Sequence, residues 1–110
     1  NKNVSFLLLH VVESVSAKYL GDASDDDETR LDKKRIDHYC AQLKAQGYQA
    51  EAVLGYKNRV TEIIRIVKDS GADMVVMGAH RHSGWKDYLF GETIEDVRHA
   101  LQIPVLIVNV

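Results

Sequence analysis

One cysteine, one proline and one tryptophan are all the chain contains of each. The lone Cys40 excludes an internal disulfide framework and a cysteine-rich metal site, and a reduced, cytoplasmic setting fits it best. Neither sign of charge is in marked excess, with 14 Lys and Arg against 16 Asp and Glu. The formal net charge is -2, so nothing draws the chain electrostatically toward nucleic acid or an anionic membrane. The first residues do not read as a charged-then-apolar leader, and no apolar run approaches the ~20 residues that span a bilayer. Direct membrane insertion is therefore not expected, and membrane association would come through something attached to the chain. Internal repeats and low-complexity linkers are absent too. What remains is an ordinary apolar fraction of 45% in 110 residues, the composition of one globular domain. A domain of that size buries only about two thirds of its unfolded surface, which favours a partner chain or a fused neighbour.

Val4 to Val12 is apolar almost throughout and reads as a strand buried on both faces, as in a parallel sheet. The acidic stretch Gly21 to Glu28 leads into an amphipathic helix with Ile36, Tyr39, Cys40 and Leu43 inward, stopped by Gly47. Tyr48 to Leu54 is a weaker, alternating strand. Asn58 suits the N-cap of a second helix carrying Val60, Ile63, Ile64 and Val67 on one face, ended by Gly71. Asp73 to Ala79 is a third strand. A loop from His80 to Phe90 then leads to Gly91 and a third helix, with Ile94, Val97 and Leu101 inward. Pro104 to Val110 closes the chain as a strand whose proline stands first, where its missing N–H is tolerated. The alternation β-α-β-α-β-α-β predicts an α/β fold, a doubly wound, Rossmann-like parallel sheet with helices on both faces.

The most specific stretch runs Gly78-Ala79-His80-Arg81-His82-Ser83-Gly84, then Trp85 to Phe90, Gly91-Glu92-Thr93-Ile94, Val97 and Pro104 to Val108. It resembles the closing half of universal stress protein domains. Their nucleotide-binding members carry a glycine, two residues, a second glycine, nine residues, then a third glycine followed by serine or threonine. Leu8-Leu9-His10-Val11-Val12-Glu13 is similar to the family's second strand, and Gly71 to Gly78 to its fourth. The wording around Leu7 to Ser14 and from Phe90 to Pro104 further resembles domains fused behind bacterial Nramp-type metal-ion transporters. The resemblance implies an adenine near Val11 and phosphates near Gly78, His80, Arg81, Gly91, Glu92 and Thr93, so ATP or AMP is the implied cofactor. The chemistry is general. Glycine lets a ligand approach the backbone, and the free N–H groups of a helix start, here expected at Gly91, attract anions. The carboxyl ends of parallel strands are where such sheets bind ligands.

Two departures weaken that expectation. Arg81 stands where the second glycine belongs, and a left-handed conformation there costs ~1–2 kcal/mol. Glu92 replaces the serine or threonine, and opposes each phosphate charge by roughly 3 kcal/mol at ~5 Å and an effective dielectric near 20. Arg81 can offset this by pairing with a phosphate, or can pair with Glu92 and close the site. Nucleotide binding is expected to be weak or absent. The family also places one more strand-helix unit before the first strand seen here, in the centre of the sheet. Residues 1–110 are therefore expected to form a single domain incomplete at its N-terminus, or one whose inner strands pair directly, or one completed by a partner chain.

Other constellations favour bland readings. His80 and His82 lack a third ligand at a telling spacing, and Asp22, Asp25, Asp26, Asp27 and Glu28 lack the glycine and distal glutamate of a calcium loop, so no metal site is expected. Acids crowding a helix N-terminus explain the second group. Tyr39 and Cys40 read as core, His10 as a satisfied structural histidine, and Trp85 as packing over the sheet end. No nucleophile-base-acid set can be assembled, so no catalytic residue is named and an enzyme is not expected. The leading expectation is a regulatory module forming a homodimer through its last strand, Val105–Val110. The alternative is an ATP- or AMP-binding sensor that regulates a fused or partner protein, such as a metal-ion transporter at the inner membrane.

Overall fold

The computed structural model describes residues 3–79 and 85–109. The chain divides into two compact units, Asn1–Arg59 and Val60–Val110. The first holds strand β1 (Ser5–Val11), helix α1 (Val15–Leu20), a 3-10 turn (Gly21–Ala23), helix α2 (Asp27–Ala45) and strand β2 (Gln49–Gly55). The second holds helix α3 (Arg59–Ser70, its first residue at the junction), strand β3 (Val75–Ala79), helix α4 (Trp85–Ala100) and strand β4 (Val105–Asn109).

In the first unit β1 and β2 pair in parallel, from Ser5 opposite Gln49 to Val11 opposite Gly55. Helix α2 packs on both strands. Asp26 caps it, its carboxylate accepting the Thr29 N–H at 2.9 Å, with Asp27 and Glu28 in the first turn. This satisfies a backbone donor that the helix leaves unpaired and places negative charge at the positive end of its dipole. The acidic run is thus the helix start expected from sequence. The stripe Thr29, Ile36 and Cys40 is buried. Tyr39 is not: at 59% exposure it faces solvent, a correction to its reading as core. Each residue turns a helix by about 100°, so Tyr39 falls roughly 80° off the centre of the stripe formed by Thr29, Ile36 and Cys40. Phe6 meets Tyr48 edge to face, with ring centroids 5.2 Å apart.

Helix α1 was not foreseen in the sequence. Its six residues are too few for a periodic pattern, but Ser14 caps it by accepting the Ala17 N–H at 3.1 Å. Gly21 ends it at φ 60°, a left-handed value that a side chain disfavours.

In the second unit β3 and β4 pair in parallel, from Val75 opposite Val105 to Ala79 opposite Asn109. Val67 on α3, Val97 on α4 and Leu101 form the buried centre, with Val60, Ile63, Ile64, Val75, Met77 and Ile103 packed around it. The apolar face expected for α3 is therefore the one it buries.

Two expectations change. Hydrogen bonds join the strands as two two-stranded sheets, β1-β2 and β3-β4, so the inner strands do not pair directly with each other among the described residues. The last helix begins at Trp85 rather than after Gly91, which takes Trp85 to Phe90 out of the expected loop. No helix among the described residues is long and apolar enough to cross a membrane.

Candidate functional site

The carboxyl ends of β1 and β2 are tied together by short-range polar contacts. Val11 is 8% exposed and Val12 fully buried, and the Val12 N–H donates to the Gly55 carbonyl at 2.9 Å. Immediately after, Glu13 pairs with Arg59 at 2.7 Å. Lys57, in the turn leaving β2, adopts φ 70°, the one described non-glycine residue with positive φ. Its Cε lies 3.4 Å from the position a Cβ on Gly21 would take, so the aliphatic stem lies against that glycine. Such a conformation costs about 1–3 kcal/mol and persists where its surroundings hold it.

His10 lies near the carboxyl end of β1, and its Nε2 is 3.0 Å from Asp32 Oδ2 on α2. The histidine is satisfied, as expected, but its side chain is half exposed rather than enclosed. Sequence reasoning had no means of naming Asp32, because strand and helix come together only in the fold.

A second polar group was also missed. The Ser24 hydroxyl bonds Ser16 at 2.9 Å and Thr29 at 2.8 Å, and Thr29 Oγ1 donates to Asp26. Ser24 and Thr29 are buried. The Thr29 hydroxyl, then the Thr29 N–H and the Ser14 hydroxyl, hold the Asp26 carboxyl below its ordinary value. These bonds fasten α1 and the 3-10 turn to the start of α2. Asp26 is fully engaged there, and no group of three metal-ligating side chains occurs among the described residues.

The residues assigned to the phosphates fall in the second unit. Gly78 is the fourth residue of β3, exposed and opposite Val108. Gly91, Glu92 and Thr93 lie inside α4, and Thr93 is only 8% exposed. In an α-helix each N–H beyond the first turn bonds the carbonyl four residues earlier. The backbone donors of these three residues are therefore taken by the helix, and the expected helix start with free N–H groups is not at Gly91. His80 and Arg81, with His82, lie outside the described residues. Gly91, Glu92 and Thr93 are neighbours on one helix of the second unit, and Val11 belongs to the first.

Comparison with known proteins agrees with this architecture. The profile of the universal stress protein family matches residues 1–109. The universal stress protein MJ0577 of Methanocaldococcus jannaschii is 28% identical over 77 residues, covering 70% of this chain and 48% of that protein. The universal stress protein Slr1230 of Synechocystis is 33% identical over 64 residues, covering 58% of this chain and 22% of that one. The solved structure of MJ0577 superposes with a TM-score of 0.70 at 25% identity, over 94% of this chain and 74% of its own. The chain thus spans about half the length of one curated relative and about a fifth of the other.

Proposed function

We propose that this chain, which belongs to the universal stress protein family, is a regulatory binding module that self-associates through β4 and carries a degenerate nucleotide loop. The observation that carries the reading is the state of β4. It pairs with β3 along one edge, while Leu106, Ile107 and Val108 remain 53%, 39% and 41% exposed. An apolar strand whose second edge is unpaired among the described residues, with no charged residue from Val105 to Val108, lacks the usual devices against pairing. Pairing with its own copy across a two-fold axis covers the edge of both molecules.

The degenerate loop follows from Arg81 and Glu92, where the family's nucleotide-binding pattern has glycine and a hydroxyl residue. A second reading is a sensor in which ATP or AMP alters that association. It is favoured by Gly78, which offers bare backbone near the carboxyl end of β3. In either case the residues form a cytoplasmic domain, completed by a further strand-helix unit or a partner chain beside the sparsely paired strands. A membrane transporter for metal ions, to which the domain is fused, is the partner the sequence resemblance suggests. No catalytic role is assigned.

The test is sedimentation velocity of the wild type and of Ile107→Lys, which puts a charge on the pairing strand. A concentration-dependent dimer that dissociates in the variant is expected. A wild type that stays monomeric at high concentration refutes the reading.

A further inference from the structure

We infer that the outward face of α2 is an interaction surface for a second copy of this chain, the two helices lying antiparallel across a two-fold axis at Leu31. The contact belongs to the first unit and is separate from the β4 pairing proposed above, which belongs to the second.

Helix α2 buries the stripe Thr29, Ile36 and Cys40 where it packs on β1 and β2. At about 100° per residue, Leu31 falls roughly 160° from the centre of that stripe and points away from the sheet. It is 48% exposed. A lone exposed leucine needs no explanation, but the charges around this one form a pattern. Asp27 and Glu28 stand four and three residues before it, and Lys34 and Arg35 three and four residues after it, all exposed. Other charges of the helix are engaged within the chain: Arg30 with Asp25 and Asp27, Lys33 with Asp37, and Asp32 with His10. Glu28, Lys34 and Arg35 enter no ion pair among the described residues.

The spacing is symmetric about Leu31 and opposite in sign. A two-fold axis at Leu31 reverses the helix direction, so the acidic turn of one copy meets the basic turn of the other. The angles around the helix select the partners. Asp27 and Lys34 lie roughly 40° and 60° to one side of Leu31, and Glu28 and Arg35 roughly 60° and 40° to the other. Asp27 therefore faces Lys34 of the second copy, and Glu28 faces its Arg35, each pair offset along the axis by about 1.5 Å. Leu31 meets its counterpart between them. Flanking charges of this kind set orientation as they do beside a coiled-coil seam. A parallel arrangement sets like charges together and is disfavoured.

Charge also argues against other occupants. The two acids and two bases sum to zero, so the face has no net attraction for an acidic peptide or an anionic membrane. Asp27 shares its carboxylate with Arg30, which leaves the Glu28–Arg35 pairs as the main source of specificity. Exposed ion pairs around one leucine from each copy make a weak, salt-sensitive contact, populated at higher concentration than the pairing of an apolar strand.

The experiment is sedimentation equilibrium up to millimolar concentration, at low and high salt, on the full chain carrying Ile107→Lys so that β4 does not contribute. Association that salt weakens is expected. Glu28→Arg and Arg35→Glu each oppose like charges twice across the axis and should weaken it about tenfold or more. An equal mixture of these two variants restores opposite charges in every Glu28–Arg35 pair, as does the double variant, so both should associate like the parent. Circular dichroism checks that α2 is kept, and Arg35→Glu, in mid-helix, carries the test if the Glu28 variant loses it. Absence of association at low salt overturns the inference, as does association that the single variants leave unchanged or that neither the mixture nor the double variant restores. Binding to phosphatidylserine vesicles in place of self-association also overturns it. Because β4 is disabled throughout, failure of the β4 reading leaves this result untouched, and the reverse holds.

Discussion

Val97 is fully buried on α4, enclosed with Val67 of α3 and Leu101. Val97→Ala removes two methyl groups from that centre. At ~0.8 kcal/mol for each buried group, the lost transfer free energy is about 1.6 kcal/mol. The space left behind adds roughly 1 kcal/mol at ~24 cal/mol per Å³, if the neighbours relax only in part. A total near 2.5 kcal/mol is a large share of the ~5–15 kcal/mol that stabilises most domains. The assay is urea unfolding at 25 °C, followed by circular dichroism, with Val15→Ala as control. Val15 is 73% exposed at the start of α1, and its truncation is expected to change stability by about 0.5 kcal/mol or less. If Val97→Ala costs under ~1 kcal/mol, or no more than the control, then α4 does not pack against α3 through this side chain, and the core described for the second unit is wrong.

Two further predictions concern local structure. The Asp26 carboxyl is held below its ordinary value of 3.8, mainly by the Thr29 hydroxyl and N–H, so the unfolded chain takes up its proton first as pH falls. The stability this carboxylate supplies is fully present above pH 3.8 and is lost as pH drops through the lower folded value. Asp26→Asn should flatten that part of the acid limb in urea midpoints measured from pH 5 to pH 2, and an unchanged limb rejects the hydroxyl network as its cause. Gly71 sits at φ +68° with open space where a Cβ would go, so Gly71→Ala isolates the backbone cost and should destabilise by about 1–2 kcal/mol. Gly21→Ala, at φ +60° with Lys57 Cε 3.4 Å from the new Cβ, should cost at least as much. Equal stability of wild type and Gly71→Ala in a thermal melt contradicts the left-handed cap.

Much of the site's setting was legible in the residues. The alternation of apolar runs with 3.6-residue periodicity pointed to the parallel sense of the strands, the inward faces of α3 and α4, and the acidic start of α2. Cys40 was correctly read as core, while Tyr39, one residue earlier, was not, because a short apolar spacing fixes a helix face only to within one position on either side. Helix α1 escaped notice since six residues carry no period. The sequence places the start of the last helix at Gly91, because glycine allows a sharp turn into a helix. The glycine's cost of about 1 kcal/mol is too small to stop a helix whose later turns are anchored by Thr93 and Val97.

Sequence alone determined the order of the four strands and the three longer helices, and the family, because period and strand apolarity are local properties of the chain. Tertiary structure decided which strands share hydrogen bonds, that His10 meets Asp32, and that Ser16, Ser24, Thr29 and Asp26 join in one network. It also decided that the Gly91 donors are occupied within α4. The first three depend on partners that meet only after the chain has folded back on itself, and the last on how far α4 extends before Gly91. A residue's own preference is too weak to settle either.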